Sequence, residues 1–193
     1  MSNADGLNGA LEKWRQLLGE KAVLTGDAAQ KSYGANTIGV QRDIPAALRP
    51  RSVEEVTALM AVASRHKVPV YPISTGANWG YGSANPVTDG CVVVDLSGMT
   101  AIDDSDIDLG IVTVEPGVTQ RILRAFLDQR GLSFLVPVHG GGPDCSLIGN
   151  ALERGYGITS CFGGLGAVRA VEAVLPRDQR YGSELSDLGA AGV

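Results

Sequence analysis

The sequence predicts a mixed α+β fold, and three observations carry that expectation. Helical and strand-like stretches alternate irregularly rather than in the regular order of a doubly wound sheet. Short β-branched runs stand next to amphipathic stretches with helix-capping residues. The chain also holds 26 glycines among 193 residues, about twice the usual share, and two stretches are dense in them.

Taken in order, Leu7 to Leu18 has apolar side chains at 7, 10, 11, 14, 17 and 18, the spacing of a helix with Trp14 on its buried stripe and Gly19 at its end. Residues 23 to 50 read as loop with short irregular pieces, "TGDAAQKSYGANT" and then an extended "IPAALRP". A second helix begins after Ser52, whose hydroxyl caps it. Glu54 and Glu55 lie in its first turn, where the macrodipole favours acids, and Val53, Val56, Leu59, Met60 and Ala63 form the apolar face. It stops near His66-Lys67. Strands are expected at Val70 to Ile73, Cys91 to Leu96 and Gly110 to Glu115, then at Ser133 to Val136 after a helix from Thr119 to Gln129, and last at Ala167 to Leu175. Asp89-Gly90 marks a turn. Glu115-Pro116-Gly117 fits a type II turn, with glycine where φ is positive.

This length suits one sizeable core or two small subdomains sharing an interface. A net charge of −5 without a basic stripe argues against nucleic acid or an anionic membrane as partner. The apolar runs are too short to span a bilayer and no signal-like start is present, so a cytoplasmic location is expected. Cys91, Cys145 and Cys161 lack the paired spacing of a zinc site and read as free thiols, and no metal is expected. Asp103, Asp104, Asp106 and Asp108 read as a solvated loop, because calcium-loop spacing and its closing glutamate are absent.

The first glycine-dense stretch, "PISTGANWGYGSANP" at 72 to 86, follows a strand and has glycines at 76, 80 and 82. That spacing matches neither the dinucleotide GxGxxG pattern nor the lysine-bearing P-loop. It leaves successive backbone N–H groups bare, with Ser74, Thr75 and Asn78 as added donors and no lysine or arginine within the loop. The second, "HGGGPDCSLIGNALERGYGITSCFGG" at 139 to 164, again mixes glycines with hydroxyls and an asparagine. Two such surfaces suit a long, flat ligand pressed against backbone, and a dinucleotide such as FAD has that shape. Each stretch also reads as a set of turns packed by its own side chains.

The order "RPRSVEEVTALMAVASRHKVPVYPISTGANWGYG", "VVVDLSGMTAI", "VTVEPGV" and "IGNALERGYGITSCFGG" resembles the FAD-binding domain of the vanillyl-alcohol oxidase and p-cresol methylhydroxylase flavoproteins, from about residue 49 to 175. The resemblance implies a p-cresol methylhydroxylase (PCMH)-type fold of two α+β subdomains, with residues 1–48 as an N-terminal helix and loop region and 49–193 as the FAD-binding domain. FAD is the implied cofactor. Ser74, Thr75, Gly76, Ala77, Asn78, Trp79, Gly80, Tyr81 and Gly82 would wrap its diphosphate, and Ser83 would close the turn. Glu115, Pro116 and Gly117 would lie against the nucleotide, and Ser146, Gly149, Asn150, Gly155, Gly157 and Ile158 would line the flavin side. Asn78 stands where some relatives tether flavin through histidine, which excludes that tether here. The implied chemistry is hydride transfer from a phenolic or other aromatic alcohol to flavin N5.

Relatives continue into a cap domain that builds the substrate pocket, and nothing resembling it follows Val193. The expectation is a C-terminally incomplete domain with an unpaired sheet edge after residue 175, since Pro176-Arg177-Asp178-Gln179 replaces the usual glycine hairpin. Three explanations stand side by side: a shortened piece of a longer oxidoreductase, a split subunit completed by another polypeptide, and a degenerate module that has lost catalysis; a second polypeptide supplying the cap, or another copy of the chain, is the implied partner. The rival reading is a cofactor-free interaction subunit that keeps the fold. Within the chain, catalytic residues are not assigned: His66 reads as a solvated cation at a helix end, and His139, Tyr81 and Tyr156 read equally as loop support or as ring contacts.

Overall fold

The computed structural model describes residues 3–77, 84–136, 141–152, 168, 170–175 and 179–182. Its first helix, α1 (Asn3–Leu18), buries Trp14 completely, and the indole Nε1 donates to the Leu59 carbonyl at 3.1 Å. Gly19, at φ 83°, turns the chain out of the helix. α1 lies against the helix that carries Leu59, here numbered α3 (Val53–His66). Two glycines make that approach feasible: a Cβ at Gly6 would lie 2.8 Å from the His66 carbonyl oxygen, and one at Gly9 would lie 2.8 Å from the His66 ring. The ring of His66 therefore packs on α1, its Nδ1 buried with no hydrogen-bond partner. This corrects the solvated helix-end reading, which had only the polar sequence neighbours to go on.

The ends of α3 are those the sequence predicts. The Ser52 hydroxyl accepts from Glu55 N, and Lys67 takes a left-handed conformation at φ 56°.

Residues 23–50 prove more ordered than expected. They contribute β1 (Val23–Thr25), α2 (Asp27–Tyr33) and β2 (Ala46–Leu48), which join β3 (Val70–Ile73) and β4 (Val92–Asp95) in a four-stranded sheet of order β1-β2-β4-β3. β2 and β3 both run parallel to β4, and β1 runs antiparallel to β2. Ala46, Ala47 and Leu48 are 0% exposed. Small side chains buried on both faces let helices close in from either side, and a three-residue strand of alanine and leucine shows no alternation. On one face Trp14, Leu48, Leu59, Val92 and Val94 form the core with α1 and α3. On the other, Ala29, Tyr33, Ile44, Ala47, Ile73 and Val93 pack under α2.

A second core of Val118, Leu123, Leu127 and Val136 gathers around α4 (Gln120–Gln129), capped by Thr119, whose hydroxyl accepts from Ile122 N at 3.2 Å. The ladder β5 (Ile102–Asp103) with β6 (Thr113–Val114) and helix α5 (Leu147–Leu152) adjoin it. The strand expected over 110–115 shrinks to Thr113–Val114, because Gly110 at φ 72° closes a 3₁₀ turn over Ile107–Leu109. No strand forms over 133–136: Leu135 is 75% exposed, only Val136 is buried, and the Phe134 carbonyl accepts from Arg124 instead of from a ladder partner. Finally β7 (Glu172–Leu175) pairs antiparallel with β8 (Gln179–Gly182). The register runs from Glu172↔Gly182 to Leu175↔Gln179, a two-stranded ladder separate from the main sheet. No helix among the described residues is long and apolar enough to cross a membrane.

Candidate functional site

β3 leaves the sheet into Ser74-Thr75-Gly76-Ala77. Ile73 pairs with Asp95 and accepts from Leu96 N, so this loop starts at the carboxyl end of the parallel strands, where open sheets present ligand crevices. Gly76 has φ 65°, and a Cβ there would sit 3.2 Å from the Ala84 Cβ. Only glycine turns so tightly at this point.

The second glycine-dense stretch docks directly onto this loop. A Cβ at Gly149 would lie 2.9 Å from Ser74 Oγ. The Cys145 thiol donates to the Ala77 carbonyl at 3.0 Å, across 68 positions of sequence, and Gly141 leaves room for that sulfur. Ser146 ties the joint to the 115–117 turn. Its hydroxyl, 4% exposed, donates to the Pro116 carbonyl at 2.6 Å and accepts from Gly149 N at 3.0 Å. Backbone bonds complete the attachment: Gln120 N to Cys145 O at 3.2 Å and Leu147 N to Val118 O at 3.0 Å. Burial pushes the Cys145 thiol pKa up, with the Asp144 charge adding to it, so the thiol stays a proton donor.

The Glu115-Pro116-Gly117 turn forms, closed by Val118 N to Glu115 O at 3.0 Å, but not as type II. Gly117 is not among the glycines of positive φ. Glycine is required there for close approach instead, since a Cβ would meet the carbonyl oxygens of Ser97 and Met99 at 2.5 Å. The Glu115 carboxylate accepts from Ala101 N at 2.7 Å, which pins the turn to β5's approach.

At the same carboxyl end lies a polar cluster the sequence did not reveal. Tyr33 donates to Asp95 at 2.6 Å and accepts from Arg49 Nε at 2.8 Å, and Ser97 N donates to the other Asp95 oxygen at 2.9 Å. The Tyr33 pKa is pushed up to about 12, first by burial and then by its hydrogen bond to Asp95. The three residues are far apart in sequence, and the pairing of β2 with β4 together with the packing of α2 brings them together.

Of the site residues expected from sequence, Ser74, Thr75, Gly76, Ala77, Glu115, Pro116, Gly117, Ser146, Gly149 and Asn150 belong to this one joint and its adjoining turns. Asn78, Trp79, Gly80, Tyr81, Gly82, Ser83, Gly155, Gly157 and Ile158 lie outside the described residues, as do His139, Tyr156 and Cys161. Cys91 and Cys145 are free and buried. Asp103 accepts from Ser105 and Asp104 pairs with Arg130 at 2.8 Å, and no group among the described residues is placed to hold a metal ion. Sequence reasoning passed over Cys145, Gly141 and Gln120. The clustering of glycines around Cys145 was the one available signal.

Fold and joint together define an α+β domain in which two glycine-dense stretches meet at the carboxyl end of a parallel sheet. The chain belongs to the FAD binding domain family, whose pattern matches residues 44–179, and is of the p-cresol methylhydroxylase type. It is 39% identical over 178 residues to the 1'-carboxy-chondrochloren decarboxylase of Chondromyces crocatus, covering 92% of this chain and 33% of that protein. It is 35% identical over 159 residues to the 4-cresol dehydrogenase [hydroxylating] flavoprotein subunit of Pseudomonas putida, covering 79% of this chain and 30% of that one. Among solved structures, p-cresol methylhydroxylase with substrate bound superposes with a TM-score of 0.89 at 30% identity, covering 95% of this chain and 36% of that one. The chain thus spans about a third of the length of these relatives.

FAD fits what the joint offers. Gln120 Nε2 and Asn150 Oδ1 are buried polar atoms with no hydrogen-bond partner. Such atoms are open to a polar partner that the chain does not supply, as His66 Nδ1 and Asn85 Oδ1 are elsewhere in the fold.

Proposed function

We propose that this chain is the FAD-holding part of a flavin-dependent oxidoreductase acting on a phenolic or other aromatic alcohol. When bound, FAD would accept a hydride at N5 from the substrate C–H bond. In this reading the Ser74 and Thr75 hydroxyls and the bare amides from Gly76 through Ala77, Asn78, Trp79, Gly80, Tyr81, Gly82 and Ser83 hold the diphosphate. Glu115, Pro116 and Gly117 support the nucleotide. Ser146, Gly149 and Asn150, continued by Gly155, Gly157 and Ile158, orient the flavin side. A second polypeptide is proposed as a further partner, since one relative is described as a flavoprotein subunit.

One observation carries the placement: Gly149 and Ser74, from the two glycine-dense stretches, pack against each other with no room for a side chain between. The names of the cresol-oxidising relatives support an aromatic alcohol as substrate. The decarboxylase relative, at 39% identity, favours a second reading in which the aromatic substrate carries a carboxyl group that is lost. Release of carbon dioxide, measured beside flavin bleaching in the assembled protein, separates the two.

The placement is tested by titrating the chain with FAD and following flavin fluorescence. A Gly149→Val chain is expected to bind about tenfold more weakly or worse, because a branched side chain drives Ser74 out of position. Equal affinity of parent and variant would reject this placement of the cofactor.

A further inference from the structure

Gln120 is the first residue of α4 and is 7% exposed, yet its Nε2 is buried with no hydrogen-bond partner. A buried helix position takes leucine or methionine at no polar cost, so a buried amide without a partner needs a reason. An unmade buried donor destabilises the ligand-free fold, and it is relieved only when an acceptor arrives.

The backbone of Gln120 lies in the joint. Its N–H donates to the Cys145 carbonyl, and the thiol of Cys145 donates to the Ala77 carbonyl of the first glycine-dense stretch. Its neighbour Thr119 bridges to Ser146. A second unmet amide atom, Asn150 Oδ1, belongs to the second glycine-dense stretch and has the opposite polarity, an acceptor where Gln120 offers a donor. A flavin ring presents both carbonyl oxygens and an N–H along one edge, so it answers both.

We infer that Gln120 is a cofactor-binding residue whose side-chain amide donates to an oxygen acceptor of bound FAD. The inference rests on the placement of FAD at this joint. It explains a buried amide that the packing alone does not use, and it makes a prediction of unusual sign. Removing the amide should leave the ligand-free chain as stable or more stable, while weakening its hold on FAD.

The test compares the parent chain with Gln120→Met and Gln120→Glu by FAD titration and by thermal unfolding with and without FAD. Gln120→Met is expected to keep or raise the unfolding midpoint without FAD, to bind FAD about tenfold more weakly, and to gain less from added FAD. Gln120→Glu keeps the shape but replaces the donor with a carboxylate, and is expected to bind at least as weakly. FAD affinity of Gln120→Met within about twofold of the parent would overturn the inference. If the methionine variant does not fold, parent-like affinity of Gln120→Glu would overturn it equally. Gly149→Val separates the two levels: if it weakens binding while both Gln120 variants bind normally, the role of Gln120 alone fails, and if none of them changes binding, the placement fails with it.

Discussion

A single hydroxyl at Ser146 serves two segments, donating to Pro116 O and accepting from Gly149 N while almost fully buried. Ser146→Ala leaves both backbone groups unmet, so it is expected to cost about 1–3 kcal/mol of stability, measured by urea unfolding. FAD affinity should fall with it, because Gly149 is then free to drift from Ser74. Tyr33 gives a pH prediction. Its phenol titrates near 10 in the unfolded chain and near 12 in the fold. Below pH 10 both states keep the proton and the contribution of Tyr33 is fully present. As pH rises from 10 towards 12 the unfolded chain releases its proton first, and stability is lost. The unfolding midpoint of the parent should fall across that window more steeply than that of Tyr33→Phe, which has no proton to lose. Parallel pH curves would show that Tyr33 is not held by burial and Asp95.

Helix packing decides the sign of a substitution at α1. Glycine to alanine in a helix interior ordinarily stabilises by about 1 kcal/mol. At Gly6 the added Cβ would sit 2.8 Å from the His66 carbonyl, a backbone atom that cannot step aside without moving α3. Gly6→Ala is therefore expected to lower the thermal midpoint, and a rise would mean that α1 does not lie this close to α3. The elements themselves were legible in unequal measure. α1, α3 and α4 announce themselves through apolar spacing and, at Ser52 and Thr119, through their caps. β1 and β2 did not, because three residues are too few to show a period and alanine has little strand preference. The apolar run at 133–136 carried the opposite error: its composition suits a strand, but among the described residues no strand pairs with it.

Across the whole molecule, the segments that leave β3 and β4 at their carboxyl ends touch the 141–150 stretch and the 115–117 turn. A ligand bound only by the folded chain stabilises by mass action, so FAD at about 100 times its Kd should add about 2.7 kcal/mol. The expected result is a rise in the unfolding midpoint with added FAD that Gly149→Val largely abolishes. A midpoint that ignores FAD in the parent would count against cofactor binding by this length of chain.

The class of fold and the capped helices were determined by the sequence itself, because each depends on local spacing or on residues whose physical limits are local, and FAD followed from the resemblance that the ordered motifs carry. Tertiary structure alone decided that the two glycine-dense stretches touch, that Gly117 is needed for close approach rather than for its φ, that His66 is wedged against α1, and that Tyr33, Arg49 and Asp95 form one cluster. Those outcomes depend on distances between segments dozens of residues apart, and close packing sets such distances only once every element has found its neighbour.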